Sequence, residues 1–389
     1  MIKKFLLVFC LILGFTNIHF AGDNGDHGDG HGHDKYDPAS TAIHHISDAN
    51  VYSILDAVRI PLPTILKSDA GWDIFMSNKF HVGHHEDGHN SYNGYVMHHG
   101  SVYRVAEPGF PMEGSVEIEG FTHHEEMKGG KMRPVNYVIY EGKEYKLDAR
   151  TTLDGGMLGG GISSFWDFSI TKNVAAMWIS ILLLLWLFGS AAKSYRGGKG
   201  APTGKAKFLE PLVLFVRDDI ARPNIGEKHE KFLPFLLTVF FFIWINNLFG
   251  LIPVLAPNLT GNISVTLVLA AMTLIITNVN GNKAYWGHII KPPVPIALYP
   301  IMIPVEIIGI FTKAFALMIR LFANITAGHI LILSLVSLIF IFESMAMSAL
   351  SIPFMVFMNT LELLVAALQA YIFTLLSALF IGMAVEEHH

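Results

Sequence analysis

The feature that most constrains this chain is a single arginine, Arg320, in the middle of a long apolar run. Residues 305–342 contain no proline and read as one continuous helix. At about 1.5 Å per residue this helix would be roughly 55–60 Å long, well beyond the ~30 Å hydrocarbon core of a bilayer. The sequence therefore predicts a long membrane helix that is oblique or broken. The guanidinium at its centre stays protonated at physiological pH, so it needs a partner or water.

Helical spacing places further polar groups near Arg320. Glu306, Lys313 and Arg320 are seven residues apart and lie close to one stripe of the helix, which Asn324 continues. His329 is nine residues after Arg320 and points roughly the opposite way. One face thus offers a fixed charge to a close neighbour, and the other offers a titratable group to a different compartment. The alternative is that Arg320 is structural and either reaches the lipid headgroups or pairs with a distant carboxylate.

The composition indicates a polytopic membrane protein. Of the 389 residues, 52% are hydrophobic, the mean hydropathy is +0.44, and the apolar residues concentrate after about residue 165. Five spans are predicted, within residues 166–192, 232–253, 263–277, 305–342 and 352–385. Residues 208–230 alternate apolar and charged positions, which favours an amphipathic helix at the membrane surface. The predicted fold class is all-α, with five transmembrane helices, two of them long and oblique, and one interfacial helix.

Charges in the loops predict the orientation. The loop after the first span carries five basic residues between positions 193 and 207, and Lys283 and Lys291 follow the third span. The loop at residues 254–261 has no charge. By the positive-inside rule the basic loops are cytoplasmic. We therefore predict a multi-pass protein of the cell inner membrane with an extracytoplasmic amino terminus and a cytoplasmic carboxyl terminus.

The first 165 residues have a different character. Residues 1–21 are predicted to be a signal peptide, with an uncleaved anchor as the alternative. Residues 22–165 then form an extracytoplasmic region, and residues 166–389 the membrane domain. Alternating apolar residues at 115–118 and 135–147, the latter with a turn at 141–143, predict some β structure before a glycine-rich linker. A net charge of -5 gives no indication of a nucleic-acid partner.

The outer region is rich in histidine. The clustered residues are His81, His84, His85, His89, His98, His99, His123 and His124. Imidazole groups can bind zinc, copper or nickel, but these spacings match no defined site. The single cysteine, Cys10, lies in the predicted signal peptide and provides no thiolate ligand to the mature chain. No metal site and no cofactor are therefore predicted.

The last predicted helix carries a second rare group, Glu362. Gln369 follows it by seven residues and shares its face. A carboxylate inside a membrane span is costly and marks a candidate for ion or proton transfer. The alternative is a structural pair between Glu362 and a neighbouring polar group.

Four segments of the chain resemble subunit a of the membrane sector of F-type ATP synthases. They are Leu209-Glu210-Pro211, residues 246–253 (NNLFGLIP), residues 320–329 (RLFANITAGH) and residues 368–371 (LQAY). An isolated Arg-Leu-Phe would mean little, whereas these segments in this order and topology are highly specific. The resemblance covers about residues 166–389.

The resemblance implies a proton channel. In that family the arginine matched by Arg320 faces a rotating ring of c subunits, each with one essential carboxylate, and two aqueous half-channels reach the contact. The other matched positions are His329, Glu362, Gln369, Asn324, Glu306, Lys313 and Asn247. His329 and Glu362 stand at a titratable pair whose members are exchanged relative to many bacterial relatives, as in mitochondrial ones. Gly250 replaces an acidic residue of some bacterial members and is given no proton role.

The implied function is the proton-channel stator subunit, which is not itself catalytic and couples proton flow to ATP synthesis by other subunits. Expected partners are the c-ring, b-type peripheral stalk subunits, the rest of the ATP synthase, membrane lipid and the translocated protons. Two other classes stay open at this point. A metal-ion transporter with a histidine-rich capture domain would need paired ligands within the spans, and a membrane anchor for an outer binding domain would leave Arg320 unexplained.

Overall fold

The structure is a computed structural model that describes residues 48–54, 58–83, 86–105, 107–128, 131–148, 164–196, 204–252, 259–292, 294–342 and 345–386. The predicted signal peptide, residues 22–47 and the glycine-rich linker at 155–161 lie outside the described residues. A β region up to residue 167 is followed by a helical region from residue 172.

The β region has twelve strands in its described residues, in four small antiparallel sheets. The strands are β1 Val51–Ile54, β2 Val58–Pro61, β3 Pro63–Ser68, β4 Gly71–Met76, β5 Asn90–Tyr92, β6 Tyr95–His98, β7 Ser101–Arg104, β8 Ser115–Glu117, β9 Gly120–Lys128, β10 Lys131–Tyr140, β11 Lys143–Lys146 and β12 Phe165–Asp167. The sheet orders are β1-β2, β12-β3-β4, β7-β6-β5-β8 and β11-β10-β9. Two apolar clusters form the core, one around Leu66 and Phe80 and one around Val96 and Val138.

Three tight turns in this region depend on glycine. A two-residue hairpin turn of type I′ needs a positive φ at both positions, which favours glycine at the second. Asn93-Gly94, His99-Gly100 and Glu141-Gly142 join adjacent strands, and their φ angles all lie between 46° and 76°. The turn predicted at residues 141–143 is confirmed, as are the strands predicted at 115–118 and 135–147.

The last strand of the β region leads into the first helix. Trp166 of β12 pairs with Lys67 of β3, and four residues, 168–171, separate β12 from helix α1, Lys172–Arg196. The predicted boundary at residue 165 therefore falls inside a strand. An aromatic stretch suits a sheet edge as well as the interfacial end of a span, so the sequence alone did not separate the two. The first predicted span, within residues 166–192, overlaps α1 from residue 172 onward.

The helical region contains eight helices in the described residues. After α1 come α2 Lys205–Phe215, α3 Arg222–Ile225, α4 His229–Leu251, α5 Ile263–Val279, α6 Lys283–Ile290, α7 Tyr299–Phe342 and α8 Met345–Val385. Four described stretches are long and apolar enough to cross a membrane: Lys172–Tyr195, Lys205–Leu251, Ile296–Leu338 and Ala349–Val385. Helices α5 and α6 meet at a bend of 100° and would make a fifth span together. A mainly helical polytopic membrane protein is thus confirmed, and the number five stays a prediction.

The two long helices, α7 and α8, contain 44 and 41 residues and pack against each other. α8 begins earlier than predicted, at Met345 rather than at residue 352, and continues through Pro353. A proline inside a helix removes one backbone hydrogen bond, but membrane helices tolerate it where neighbouring groups satisfy the freed backbone. The prediction of two long helices is confirmed.

The segment predicted as an interfacial helix, residues 208–230, packs into the main helical core. It consists of most of α2, a π-helical turn at Val216–Ala221, α3, a short 3-10 turn and the start of α4. Leu209 and Ile220 are buried in the same apolar cluster as α4 and α8. Gly382 of α8 lies so close to Asn224 that a Cβ at position 382 would be 2.9 Å from the backbone carbonyl carbon of Asn224. One side of α8 is therefore closely packed.

Candidate functional site

Arg320 lies on an open face of α7. Its side chain is exposed, as are those of Lys313 and Asn324 on the same stripe. No hydrogen bond or ion pair joins Arg320 to any residue that the structure describes, including Asn324 and Gln369, the polar neighbours that the sequence predicted. Large apolar side chains such as Phe315, which is 60% exposed, surround the charge. In a membrane helix such an apolar face contacts lipid or another apolar protein surface, and the guanidinium within it needs a partner or water.

A cleft of about 490 Å³ between α7 and α8 contains both cations. Lys313 and Arg320 line it from α7, and Leu376 and Phe380 line it from α8. The Nζ atom of Lys313 lies 5.7 Å from the centre of the Phe380 ring, which is within the range of a cation–π interaction. The cleft therefore brings the two cations of α7 to one mostly apolar opening between the two helices.

Lys313 also borders a cavity of about 20 Å³, which is large enough for one water molecule. Thr277, Asn278 and Tyr285 from the α5–α6 bend line this cavity. The Tyr285 hydroxyl donates to Asn278 Oδ1 at 3.1 Å, and Thr277 Oγ1 is buried without a partner among the described residues. Of the two residues predicted on this side, Lys313 lines the cavity together with Tyr285, and Glu306 is not among the lining residues.

Sequence reasoning missed the three residues from the α5–α6 bend. Single hydroxyl or amide side chains in apolar helices give no spacing signal, and their importance depends on which way the bend turns them. The tyrosine beside the predicted basic loop was the one indication available, since tyrosines often lie at a membrane interface.

Glu362 of α8 contacts α7 at a glycine. Its carboxyl group rests against Gly328, and a Cβ at that position would lie 3.0 Å from Glu362 Cδ. His329, the next residue, is half-buried. Glu362 Oε2 and Thr326 Oγ1 are both buried without a partner in the described part of the chain. Unpartnered buried polar atoms of this kind mark places where a water molecule or another proton donor would bind. Sequence reasoning missed Thr326.

Asn247 is placed differently from the other predicted residues, because its amide is fully engaged in helix packing. Its Nδ2 donates to the Ala366 carbonyl at 3.2 Å, and its Oδ1 accepts from Thr260 Oγ1 at 2.6 Å. It therefore ties α4 to α8 and to the segment before α5. The adjacent Asn246 has a buried Oδ1 without a partner among the described residues. Gln369 is also buried, on α8.

Within the described residues, the side chains that could share one metal ion are not on the helices. Asp87, His98 and His99 of the β region form that group. The helical site thus consists of an arginine, a lysine, two carboxylates, a histidine and scattered amides and hydroxyls. These groups can bind and release protons, and the helices that hold them are those of a polytopic membrane protein.

Comparison with known proteins identifies the family. A family model described as ATP synthase A chain matches residues 174–382, which is more than half of the chain. A second model, described as a domain of unknown function, matches residues 41–126. The chain belongs to the ATP synthase subunit a family, and it is the proton-channel subunit of the stator of an F-type ATP synthase.

Three relatives, each an ATP synthase subunit a, illustrate the similarity. The protein of Chlorobium phaeobacteroides (strain BS1) is 51% identical over 232 residues, 57% of this chain and 68% of the relative. That of Chlorobium phaeobacteroides (strain DSM 266 / SMG 266 / 2430) is 42% identical over 302 residues, 75% of this chain and 86% of the relative. That of Myxococcus xanthus (strain DK1622) is 46% identical over 249 residues, 62% and 80% of the two chains.

The comparisons also bear on the alternatives. They confirm the resemblance on which the predicted function rested, and they give no support to a metal-ion transporter. The match over 302 residues is longer than residues 166–389, so the similarity extends into the β region.

Proposed function

We propose that protons cross the membrane through two separate half-channels that meet the c-ring at Arg320. A proton from outside passes His329 and Glu362 and reaches a ring carboxylate. On the other side a proton leaves the ring past Lys313 and Glu306. The chain makes and breaks no covalent bonds itself. One proton moving through 100 mV releases about 2.3 kcal/mol, so several must pass for each ATP made by other subunits.

The observation that carries this proposal is the exposed Arg320, which lies on an apolar face and has no partner among the residues that the structure describes. A permanent cation on such a face is costly until an anion from another chain meets it. The ring carboxylate is that anion. Arg320 stabilises its ionised form and makes it give up its proton before it passes. A protonated ring carboxyl group carries no charge that the guanidinium could attract. Arg320 therefore prevents a protonated carboxyl group from carrying a proton directly from one half-channel to the other.

The outer half-channel is assigned to the contact between α7 and α8 near Gly328. The unpartnered oxygen of Glu362 would bind an entering water or proton, and the adjacent His329 would exchange protons with it. Gln369 and Asn324 are assigned as polar neighbours on the way to the arginine. Asn247 is assigned a positioning role, since its two hydrogen bonds hold α4 against α8.

The inner half-channel is assigned to the cleft and the water-sized cavity that share Lys313. A water molecule in the cavity would hydrogen-bond to Thr277 and bring the Tyr285–Asn278 pair into contact with the lysine. Glu306 would then accept a proton close to the cytoplasm. A chain of water and hydroxyl groups is suited to proton transfer because each member both donates and accepts a hydrogen bond.

The arrangement in the membrane follows from the loop charges. With five spans, the β region lies outside the cytoplasm and the carboxyl terminus inside. Residues 1–21 would be removed as a signal peptide, and the membrane domain would begin at about residue 172, after β12. The open apolar face of α7 and α8 would contact the c-ring, and other faces would contact lipid and the b-type peripheral stalk.

The test is ATP-driven proton pumping in inverted membrane vesicles that contain equal amounts of assembled complex. Arg320→Ala is expected to abolish pumping, and Arg320→Lys to retain only part, because lysine keeps the charge but lacks the planar fork. Arg217→Ala is the matched control, since Arg217 is an exposed arginine paired with Asp218 at 2.8 Å, and it should pump normally. Normal pumping by Arg320→Ala would show that the arginine is structural only.

A further inference from the structure

Two histidines and an aspartate converge at one end of a hairpin in the β region. His98 is the last residue of β6, and His99 is the first residue of the turn into β7. Asp87 comes from the segment before β5. The His98 Nδ1 atom is 2.9 Å from Asp87 Oδ1, and the His99 Nδ1 atom is 4.0 Å from the same oxygen. All three ligand atoms lie within 4.8 Å of one another.

We propose that Asp87, His98 and His99 bind one divalent transition-metal ion of the zinc class. Zinc bonds to histidine nitrogen and carboxylate oxygen at about 2.0–2.2 Å, so its ligand atoms lie about 3–3.5 Å apart in a tetrahedral site. The His98 Nδ1 and Asp87 Oδ1 atoms are close to that separation, at 2.9 Å, and the other pairs are wider, at up to 4.8 Å. Small side-chain rotations would close the group around an ion, and a water molecule would complete the fourth position.

The group is held in place by its surroundings. His98 is only 8% exposed, and its ring stacks on Phe121 with centroids 4.3 Å apart. The backbone amide of His99 donates to Asp87 Oδ1 at 2.6 Å, which ties the aspartate to the hairpin turn. Ligands fixed before the ion arrives lose little conformational entropy on binding.

The local charges favour a dication over two protonated histidines. The rings of His98 and His99 lie 4.1 Å apart, so two imidazolium groups here would repel each other. Glu86 is also buried, and its carboxylate lies close to Gly100, next to His99 in the chain. The carboxylates of Asp87 and Glu86 together balance the charge of one divalent ion.

The spacing of the histidines in the sequence predicted no metal site. Asp87 and His98 are eleven residues apart and belong to no linear ligand motif. The β6–β7 hairpin and the segment before β5 bring them together. The site lies in residues 41–126, which match the domain of unknown function, and it is separate from the proposed proton path.

The experiment measures bound metal on the full chain in the purified ATP synthase, stripped with a chelator and dialysed against Zn²⁺. Asp87→Asn and His99→Ala are expected to lower the affinity of one Zn²⁺ equivalent by at least about tenfold, since even weaker perturbations of metal sites have effects of that size. The double variant His123→Ala/His124→Ala is the matched control. Its two histidines are adjacent in β9 and point to opposite faces, so it should retain the equivalent.

Limited proteolysis and Co²⁺ binding accompany the metal count. His99 is partly exposed, so His99→Ala should keep the wild-type cleavage pattern while it loses the visible spectrum of Co²⁺ held by histidine nitrogen. Equal affinity in wild type and His99→Ala would overturn the proposal, because the equivalent would then belong to other histidines. So would equal losses in His99→Ala and the double control. ATP-driven pumping should be normal in every variant.

Discussion

The β region and the two long helices differ in whether their ionisable side chains are bonded to other groups of the chain. In the β region Asp73 accepts a hydrogen bond from Tyr95, and Glu126 accepts from both Tyr137 and Lys146. The bond to Glu126 raises the pKa of Tyr137 to about 12. These side chains satisfy one another's hydrogen-bonding groups within the chain. A contribution to folding stability is therefore enough to account for them.

In α7 and α8 two ionisable groups lack a bonded partner among the described residues. Arg320 is exposed and has no partner among the described residues, and Glu362 Oε2 is buried and unbonded. Unpaired groups in a membrane helix cost stability, so stability does not explain them. This contrast supports the proposal that the incomplete sites, rather than the complete ones, meet a second chain and a moving proton.

The largest effect on proton pumping is expected when the titratable group on α8, Glu362, is replaced. Glu362→Gln keeps the size and polarity of the side chain but removes proton exchange, and a positioned acid or base contributes roughly 100-fold or more to a proton-transfer step. We expect ATP-driven pumping to fall by at least about tenfold. Glu126→Gln, in the β region, should pump like the wild type. Similar pumping by Glu362→Gln and Glu126→Gln would remove the distinction between the two regions.

The next effect concerns the closed side of α8. Gly382→Ala would push a methyl group against the backbone of Asn224, and overpacking of this kind costs about 1–3 kcal/mol. The thermal midpoint of the complex in detergent should fall. Gly189→Ala is the control, because nothing lies within 4 Å of a Cβ there and alanine favours helix over glycine. An unchanged midpoint for Gly382→Ala would mean that α3 can move away from α8.

A smaller effect is expected where the β region joins α1. Asp48 accepts hydrogen bonds from the Asn173 amide at 3.0 Å and the Thr171 hydroxyl at 2.8 Å, so it caps the helix from a distant position. Asp48→Ala should cost about 1 kcal/mol, as for other helix caps. Faster protease cleavage between β12 and α1 would report the loss. Asp69→Ala removes an exposed aspartate from the β3–β4 turn and should leave that cleavage rate unchanged.

The smallest effect is expected at the surface of the β region. Lys146 pairs with Glu126, and both side chains are more than a third exposed. An ion pair of this kind contributes less than about 1 kcal/mol, so Lys146→Ala should hardly change the unfolding of the purified complex at physiological salt. A clear loss of stability at physiological salt that disappears at high salt would show that the charge of Lys146 stabilises the β region.

The sequence could predict the features that periodicity controls. The long helix around Arg320, the hairpin turn at Glu141-Gly142 and the presence of a second long helix all follow from spacing or from a two-residue signal. The start of α8 was placed too late, because the helix continues through Pro353. Strand β12 was merged with α1 because its aromatic residues resemble an interfacial span end.

Other features could not be found in the sequence because they arise only from tertiary contact. Thr277 and Tyr285 meet Lys313 through a bend of 100° between α5 and α6, and no local pattern encodes such a bend. The same holds for Asp87 and His98, which only the strand order brings together. The place of Asn247 in the proton path stays a prediction from the resemblance, and the hydrogen bonds that hold α4 against α8 could not be read from the sequence.

The junction between β12 and α1 has a mechanical consequence. A stator held against a turning rotor experiences a sideways force, and the ends of its helices act as lever arms. α1 is connected to the β3–β4–β12 sheet by only four residues and is clamped by Asp48. A torque that tilted α1 would therefore also strain this sheet, and the β region would then act as a brace that limits the elastic compliance of the stator.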